Sequence, residues 1–80
     1  MLKLSDFIPL TMLREGETGV VVDIQSGVNA RGKLLSMGIT PGVRVRMIKS
    51  RKPGPVIIGI GSSKIALGWG IASKIIVRRE

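Results

Sequence analysis

Arg31-Gly32-Lys33-Leu34-Leu35-Ser36-Met37-Gly38-Ile39-Thr40-Pro41-Gly42 spells the end of a short helix, a glycine stop and a tight turn into a strand. Leu34 with Met37, and Ala30 with Leu34, stand three and four residues apart, so each pair shares one helix face. Gly38 lacks a Cβ and takes the left-handed conformation after the helix end without steric penalty. The amide of Ile39 then reaches back to the carbonyl of Leu34 and their side chains pack, the contact of a Schellman motif. Thr40-Pro41-Gly42-Val43 continues as a type II turn, with proline preset at the second position and glycine free for positive φ at the third.

Upstream, Leu4, Ile8, Leu10 and Leu13 are the apolar residues of an entry segment in which Ser5-Asp6 caps a short turn. Pro9 interrupts regular structure there, and Glu15-Gly16-Glu17-Thr18-Gly19 has turn chemistry. Gly19 to Gln25 reads as a strand, with Val20, Val22 and Ile24 on one side and Val21 and Asp23 on the other. Asn29 is the expected helix N-cap. Gly32, inside the helix, costs about 1 kcal/mol relative to alanine and points to close backbone approach or to a marginal helix.

Downstream, Val43 to Ile48 alternates Val43, Val45 and Met47 inward with Arg44 and Arg46 outward. Pro53-Gly54-Pro55 ends the following loop, because neither proline can donate to a ladder. Val56 to Ile60 is a nearly continuous apolar strand, where Gly59 and Gly61 suggest a bulge or a sharp bend. Gly61-Ser62-Ser63 turns into Lys64 to Leu67, with Ile65 and Leu67 inward. Gly68-Trp69-Gly70-Ile71-Ala72 supports one helical turn before the last strand, Lys74 to Arg78. Five short strands, one short helix and bending glycines predict a mainly β fold, a small closed barrel.

Eighty residues imply one small domain, 1–80. A chain this size buries only about 60% of its unfolded surface, which favours a closed sheet that uses its apolar residues fully. The chain has neither cysteine nor histidine. That excludes a disulfide framework, a thiolate or imidazole zinc site and a histidine-based triad. No apolar run approaches the ~18 residues of a membrane helix, so a soluble cytoplasmic protein is the default expectation. The formal charge of +8 favours anionic partners: nucleic acid, the inner membrane surface or an acidic protein face.

Three sets of residues also resemble one family, that of ferrous iron transport protein A (FeoA). They are R-x-K-L-L-S-M-G-I-T-P-G at the centre, L-x-x-L-x-x-G-x-x-G-x-V at Leu10, Leu13, Gly16, Gly19 and Val21, and L-x-x-x-x-A-x-x-I at Leu67, Ala72 and Ile75. The resemblance spans nearly the whole chain and implies an SH3-like β-barrel, a domain type that also ends certain metal-dependent repressors. It departs from the family at Gly68-Trp69-Gly70, where charged residues are common, and in the compact loop Arg51-Lys52-Pro53-Gly54-Pro55. What it implies about function is a non-enzymatic accessory protein of ferrous iron uptake. The partner would be the cytoplasmic, GTP-binding region of the membrane iron transporter FeoB, which would also bring the protein to the inner membrane.

Candidate contacts are the exposed residues on or near the central helix, Asn29, Arg31, Lys33 and Ser36, together with Trp69. A tryptophan between two glycines is hard to bury fully, and exposed tryptophans are enriched at interfaces. Gly38, Pro41 and Gly42 are assigned a structural role in the turn. The carboxylates, Asp6, Glu15, Glu17, Asp23 and Glu80, form no catalytic constellation. A ferrous ion would want imidazole or carboxylate ligands; Glu15, Glu17 and Asp23 are the conceivable set, and no metal site, catalytic residue or cofactor is assigned. Gly59-Ile60-Gly61-Ser62-Ser63-Lys64 lacks P-loop spacing and reads as a hairpin. The alternative function is a basic SH3-like barrel binding RNA, the ribosome or DNA-associated partners, through phosphate contacts of Arg44, Arg46, Lys49, Arg51, Lys52, Arg78 and Arg79.

Overall fold

The computed structural model describes residues 6–52 and 54–80; Ser5, Leu4 and Pro53 lie outside them. The elements run β1 (Phe7–Pro9), a 3-10 turn (Leu10–Met12), β2 (Thr18–Ile24), α1 (Val28–Ser36), β3 (Arg44–Ser50), β4 (Val56–Ile60), β5 (Ser63–Leu67), α2 (Trp69–Ala72) and β6 (Ile75–Arg79). The strands form one antiparallel sheet in the order β1-β6-β2-β3-β4-β5. Its edges, β1 and β5, do not pair with each other. The sheet is therefore SH3-like in its strands and size without a closed hydrogen-bonded ring, and α2 packs on the 3-10 turn.

The sixth strand is β1, which the proline had hidden. Pro9 has no N–H to donate, but β1 lies at an edge and pairs with β6 alone, the setting in which a sheet tolerates proline.

All six strands turn apolar residues into one core. Its fully buried members include Leu10, Leu13, Val21, Ile39, Val45, Met47, Val56, Ile58, Ile75 and Val77. The inward set of β2 differs from simple alternation. Val21 pairs with Val77 and Asp23 with Ile76, so Val22 is an extra residue opposite β6. This bulge resets the phase: Val21 and Ile24 are buried, and Val20 and Val22 are only half-buried. A second bulge makes Ile48 the extra residue of β3, between Met47↔Ile58 and Lys49↔Ile57. The bulges thus fall in β2 and β3, not in β4 as the glycines there suggest. Gly61-Ser62 instead closes the β4–β5 hairpin, with Gly61 at φ +59.

The helix exit follows the sequence closely. Gly38 stands at φ +85, its N–H donates to the Leu35 carbonyl at 2.9 Å, and the Ile39 N–H donates to Leu34 at 2.9 Å. Those are the two bonds of a Schellman motif, and both Leu34 and Ile39 are buried. Gly42 is at φ +97 and the Val43 N–H donates to Thr40 at 3.1 Å, closing the type II turn. This turn is then tied to β2 in both directions, Gly42 N–H to the Val21 carbonyl at 2.7 Å and Val21 N–H to Val43 at 2.8 Å.

The helix start is earlier than Asn29. Gly27 is the N-cap, its carbonyl accepting from the Arg31 N–H at 3.0 Å, and no side chain caps the end. Asn29 lies inside the first turn and is exposed.

Candidate functional site

Helix α1 presents more apolar surface than the core can take. Leu34 is buried at 2% exposure, whereas Leu35 is 61% and Val28 86% exposed. Successive helical residues point 100° apart, so of the two adjacent leucines only one can face the core. Leu34 takes that place, with Ala30 half-buried one turn before it. Asn29, Lys33 and Ser36 form an exposed polar line, in which the Ser36 hydroxyl donates to the Lys33 carbonyl at 2.7 Å. Val28, Gly32 and Leu35, at i, i+4 and i+7, form a third line.

That third line borders a groove of about 380 Å³ between the helix, the end of β2 and the Thr40-Pro41 turn. Ile24, Val28, Leu35, Ile39 and Pro41 give it apolar walls, and Arg31 stands at the side. Arg31 pairs with Asp23 at 3.8 Å across partly exposed surface. Gly32 lines the groove with backbone alone. A Cβ there would meet no atom within 4 Å, and its φ is not in the left-handed region, so close approach does not explain this glycine. It costs the helix about 1 kcal/mol, and the space beside it is open groove.

The sequence-predicted residues divide. Arg31 lines the groove, and Asn29, Lys33 and Ser36 are exposed beside it. Trp69, the first residue of α2, is half-buried and packs against the core. The groove's main walls, Val28 and Leu35, were not singled out from the sequence. The signal available was the leucine pair followed back seven residues to Val28 through a glycine.

The carboxylates serve local structure. Glu15 accepts from the Ser50 N–H at 3.1 Å, Glu17 accepts from the Arg14 N–H at 2.7 Å and faces Arg79 at 3.4 Å, and Asp23 accepts from the Ile24 N–H at 2.8 Å. Among the described residues no three metal-ligating side chains come together. An aliphatic core with neither thiol nor imidazole gives the expectation that folding is independent of metal. A chelator therefore leaves the thermal unfolding midpoint unchanged; a drop of many degrees would reveal a structural metal. Of the basic residues considered for phosphate contact, Arg44 is paired with Glu80 at 2.9 Å and Arg79 with Glu17, which compensates the charge of two members of the set.

Comparison with known proteins finds relatives of one family over most of the chain. The family model for the FeoA domain matches residues 8–79. A protein of Methanocaldococcus jannaschii described as "Putative Fe(2+) transport protein A" is 44% identical over 69 residues, covering 86% of this chain and 83% of that one. A crystal structure of an iron uptake regulatory protein (FeoA) superposes with a TM-score of 0.88 at 42% identity, over 92% of this chain and 99% of the other. A manganese-dependent transcriptional repressor matches with a TM-score of 0.84 at 28% identity, but only 42% of its length is involved.

Proposed function

The chain belongs to the FeoA family, and from that membership we propose that it is a non-enzymatic accessory protein of ferrous iron uptake. It docks on the cytoplasmic, GTP-binding region of an FeoB-type membrane transporter and modulates it. The docking surface is the groove along α1. The observation that carries this reading is the pairing of two strongly exposed aliphatic residues, Val28 and Leu35, with a helical glycine that the fold does not need. An apolar groove of this kind suits one or two aliphatic anchors of a partner segment, with Arg31 and the polar line at its rim. The iron is the transporter's cargo; this chain contributes contact surface.

Two variants test the groove by different routes. Leu35→Asp places a charge on its wall and Gly32→Leu fills it. Both positions are exposed, so the thermal midpoint stays near that of the wild type, and Gly32→Leu raises it slightly because leucine is a better helix former. Each variant lowers affinity for the purified GTP-binding region of the transporter at least about tenfold, the usual effect of losing an interface anchor. Wild-type affinity in both would remove the groove from the interface. No binding by the wild type would remove the partner.

A further inference from the structure

The second unusual surface is the outer face of β3, β4 and β5. Cross-strand register puts Arg46, Gly59 and Lys64 in one row, and Lys49, Ile57 and Ala66 in another. The alternate rows, Met47-Ile58-Ile65 and Ser50-Val56-Leu67, turn inward. Arg46 lies across the sheet over Gly59: a Cβ at Gly59 would be 3.1 Å from Arg46 Nη2 and 3.2 Å from Ile48 Cδ1. Glycine here makes room for a guanidinium held against the sheet. At the end of the same face, Lys49, Arg51 and Lys52 surround a depression of about 310 Å³ with Gly54, Pro55 and Ile57.

No carboxylate lies between residues 24 and 79. Among the described residues, none of Arg46, Lys49, Arg51, Lys52 and Lys64 takes part in an ion pair with a carboxylate; the pairs formed use Arg31, Arg44 and Arg79. Glu15, which approaches this end of β3, binds the Ser50 N–H. The face therefore carries an excess of positive charge interleaved with aliphatic atoms.

We propose that the outer face of β3–β5, with Arg51, Lys52, Gly54 and Pro55 at its end, is a contact surface for an anionic lipid bilayer. Each lysine or arginine near an anionic leaflet gains electrostatic attraction, and their aliphatic stems, with Ile57 and Pro55, suit the boundary between headgroup and chain. The depression, cationic at its rim and apolar within, matches a phosphodiester with its first carbons. Nucleic acid fits less well. Neither aromatic residue of the chain lines the depression for base stacking, and phosphate contacts alone give binding that is weak and salt-sensitive. The surface lies on elements other than α1 and does not depend on the transporter as partner.

Vesicle co-sedimentation of the full chain, without any partner protein, tests this directly. The chain binds vesicles of phosphatidylcholine mixed with phosphatidylglycerol, leaves phosphatidylcholine vesicles in solution, and is released at high salt as the charges are screened. Lys49→Glu with Arg51→Glu lowers partitioning more than about tenfold, since removing each cation alone costs about fivefold. Lys52→Glu with Lys64→Glu does the same. Lys33→Glu with Lys74→Glu makes the same change in net charge outside β3–β5, and holds partitioning within about threefold. Circular dichroism melts confirm that each variant is folded. The proposal is overturned if the wild type ignores anionic vesicles, if the control pair loses as much as the test pairs, or if duplex RNA is bound more tightly than vesicles at physiological salt.

Discussion

Leu34→Ala lowers the free energy of unfolding by about 2–5 kcal/mol, the range for truncating a fully buried leucine. Leu34 is the one fully buried residue of α1, a helix of nine residues that would be marginal alone. Its side chain joins Ile39 in the core, and its carbonyl accepts from both Met37 and Ile39. Truncation leaves those backbone bonds but removes what presses the helix onto the sheet. For a domain of this length, total stability is roughly 4–12 kcal/mol, so the loss is a large share. The midpoint falls by about 4–8 °C for each kcal/mol. Leu34→Met, which keeps the volume, costs less than about 1.5 kcal/mol. By contrast Leu35→Ala, one residue away and exposed, changes stability by less than about 0.5 kcal/mol. Thermal and denaturant melts of the three variants check this. Similar losses for Leu34→Ala and Leu35→Ala would mean that the helix is rotated about its axis.

The helix exit was legible because several local rules agree there. Gly38, Ile39, Pro41 and Gly42 each have one reason to be what they are, and all the reasons describe the same geometry. β3, β4, β5 and β6 were legible too, with ends shifted slightly, because Arg44 and Arg46 alternate with Val45 and Met47 and the apolar run of β4 allows little else. β2 was harder. Val20, Val21 and Val22 offer no contrast between faces, so the bulge at Val22 leaves no mark in the sequence and the facing inferred by alternation slips. β1 was missed because proline forbids only one side of a strand, and a single sequence does not tell edge from interior. The helix start was misplaced because Asn29 is the better cap by propensity, while Gly27 has the required extended backbone without needing a side chain.

The site was less legible than the fold. The exposed polar residues of α1 were legible because polar and charged side chains face water. The groove depends on aliphatic residues that do the same, and in sequence Leu35 looks no different from Leu34 beside it, although one is exposed and the other buried. Gly32 showed its cost in the sequence but not its surroundings. Only the empty space around it separates close approach from an open groove. The cationic face was likewise visible as a run of basic residues, but not as one surface. Strand register brings Lys64 beside the row of Arg46, and the pairing of Arg44 and Arg79 with acids takes those two out of it.

Gly38→Val costs about 1–3 kcal/mol, and for a reason distinct from that of Leu34→Ala. A Cβ at Gly38 would meet no atom within 4 Å, so the β carbon itself has room. The strain comes from φ +85, a conformation that a β-branched residue adopts only at a cost. Gly38→Asn costs less, because asparagine visits the left-handed region more readily than other residues with a Cβ. The order of midpoints is therefore glycine, asparagine, alanine, valine. Relaxing the strain at Gly38 would break the bonds from Gly38 to Leu35 and from Ile39 to Leu34, withdraw Ile39 from the groove wall and tilt Pro41 away from it. Partner affinity then falls in Gly38→Val even at temperatures where the sheet is fully folded, whereas Gly38→Asn binds nearly as the wild type does. Circular dichroism melts beside a binding assay separate the two effects. Equal stability for glycine, asparagine and valine would show that this residue is not left-handed, and that the helix ends elsewhere.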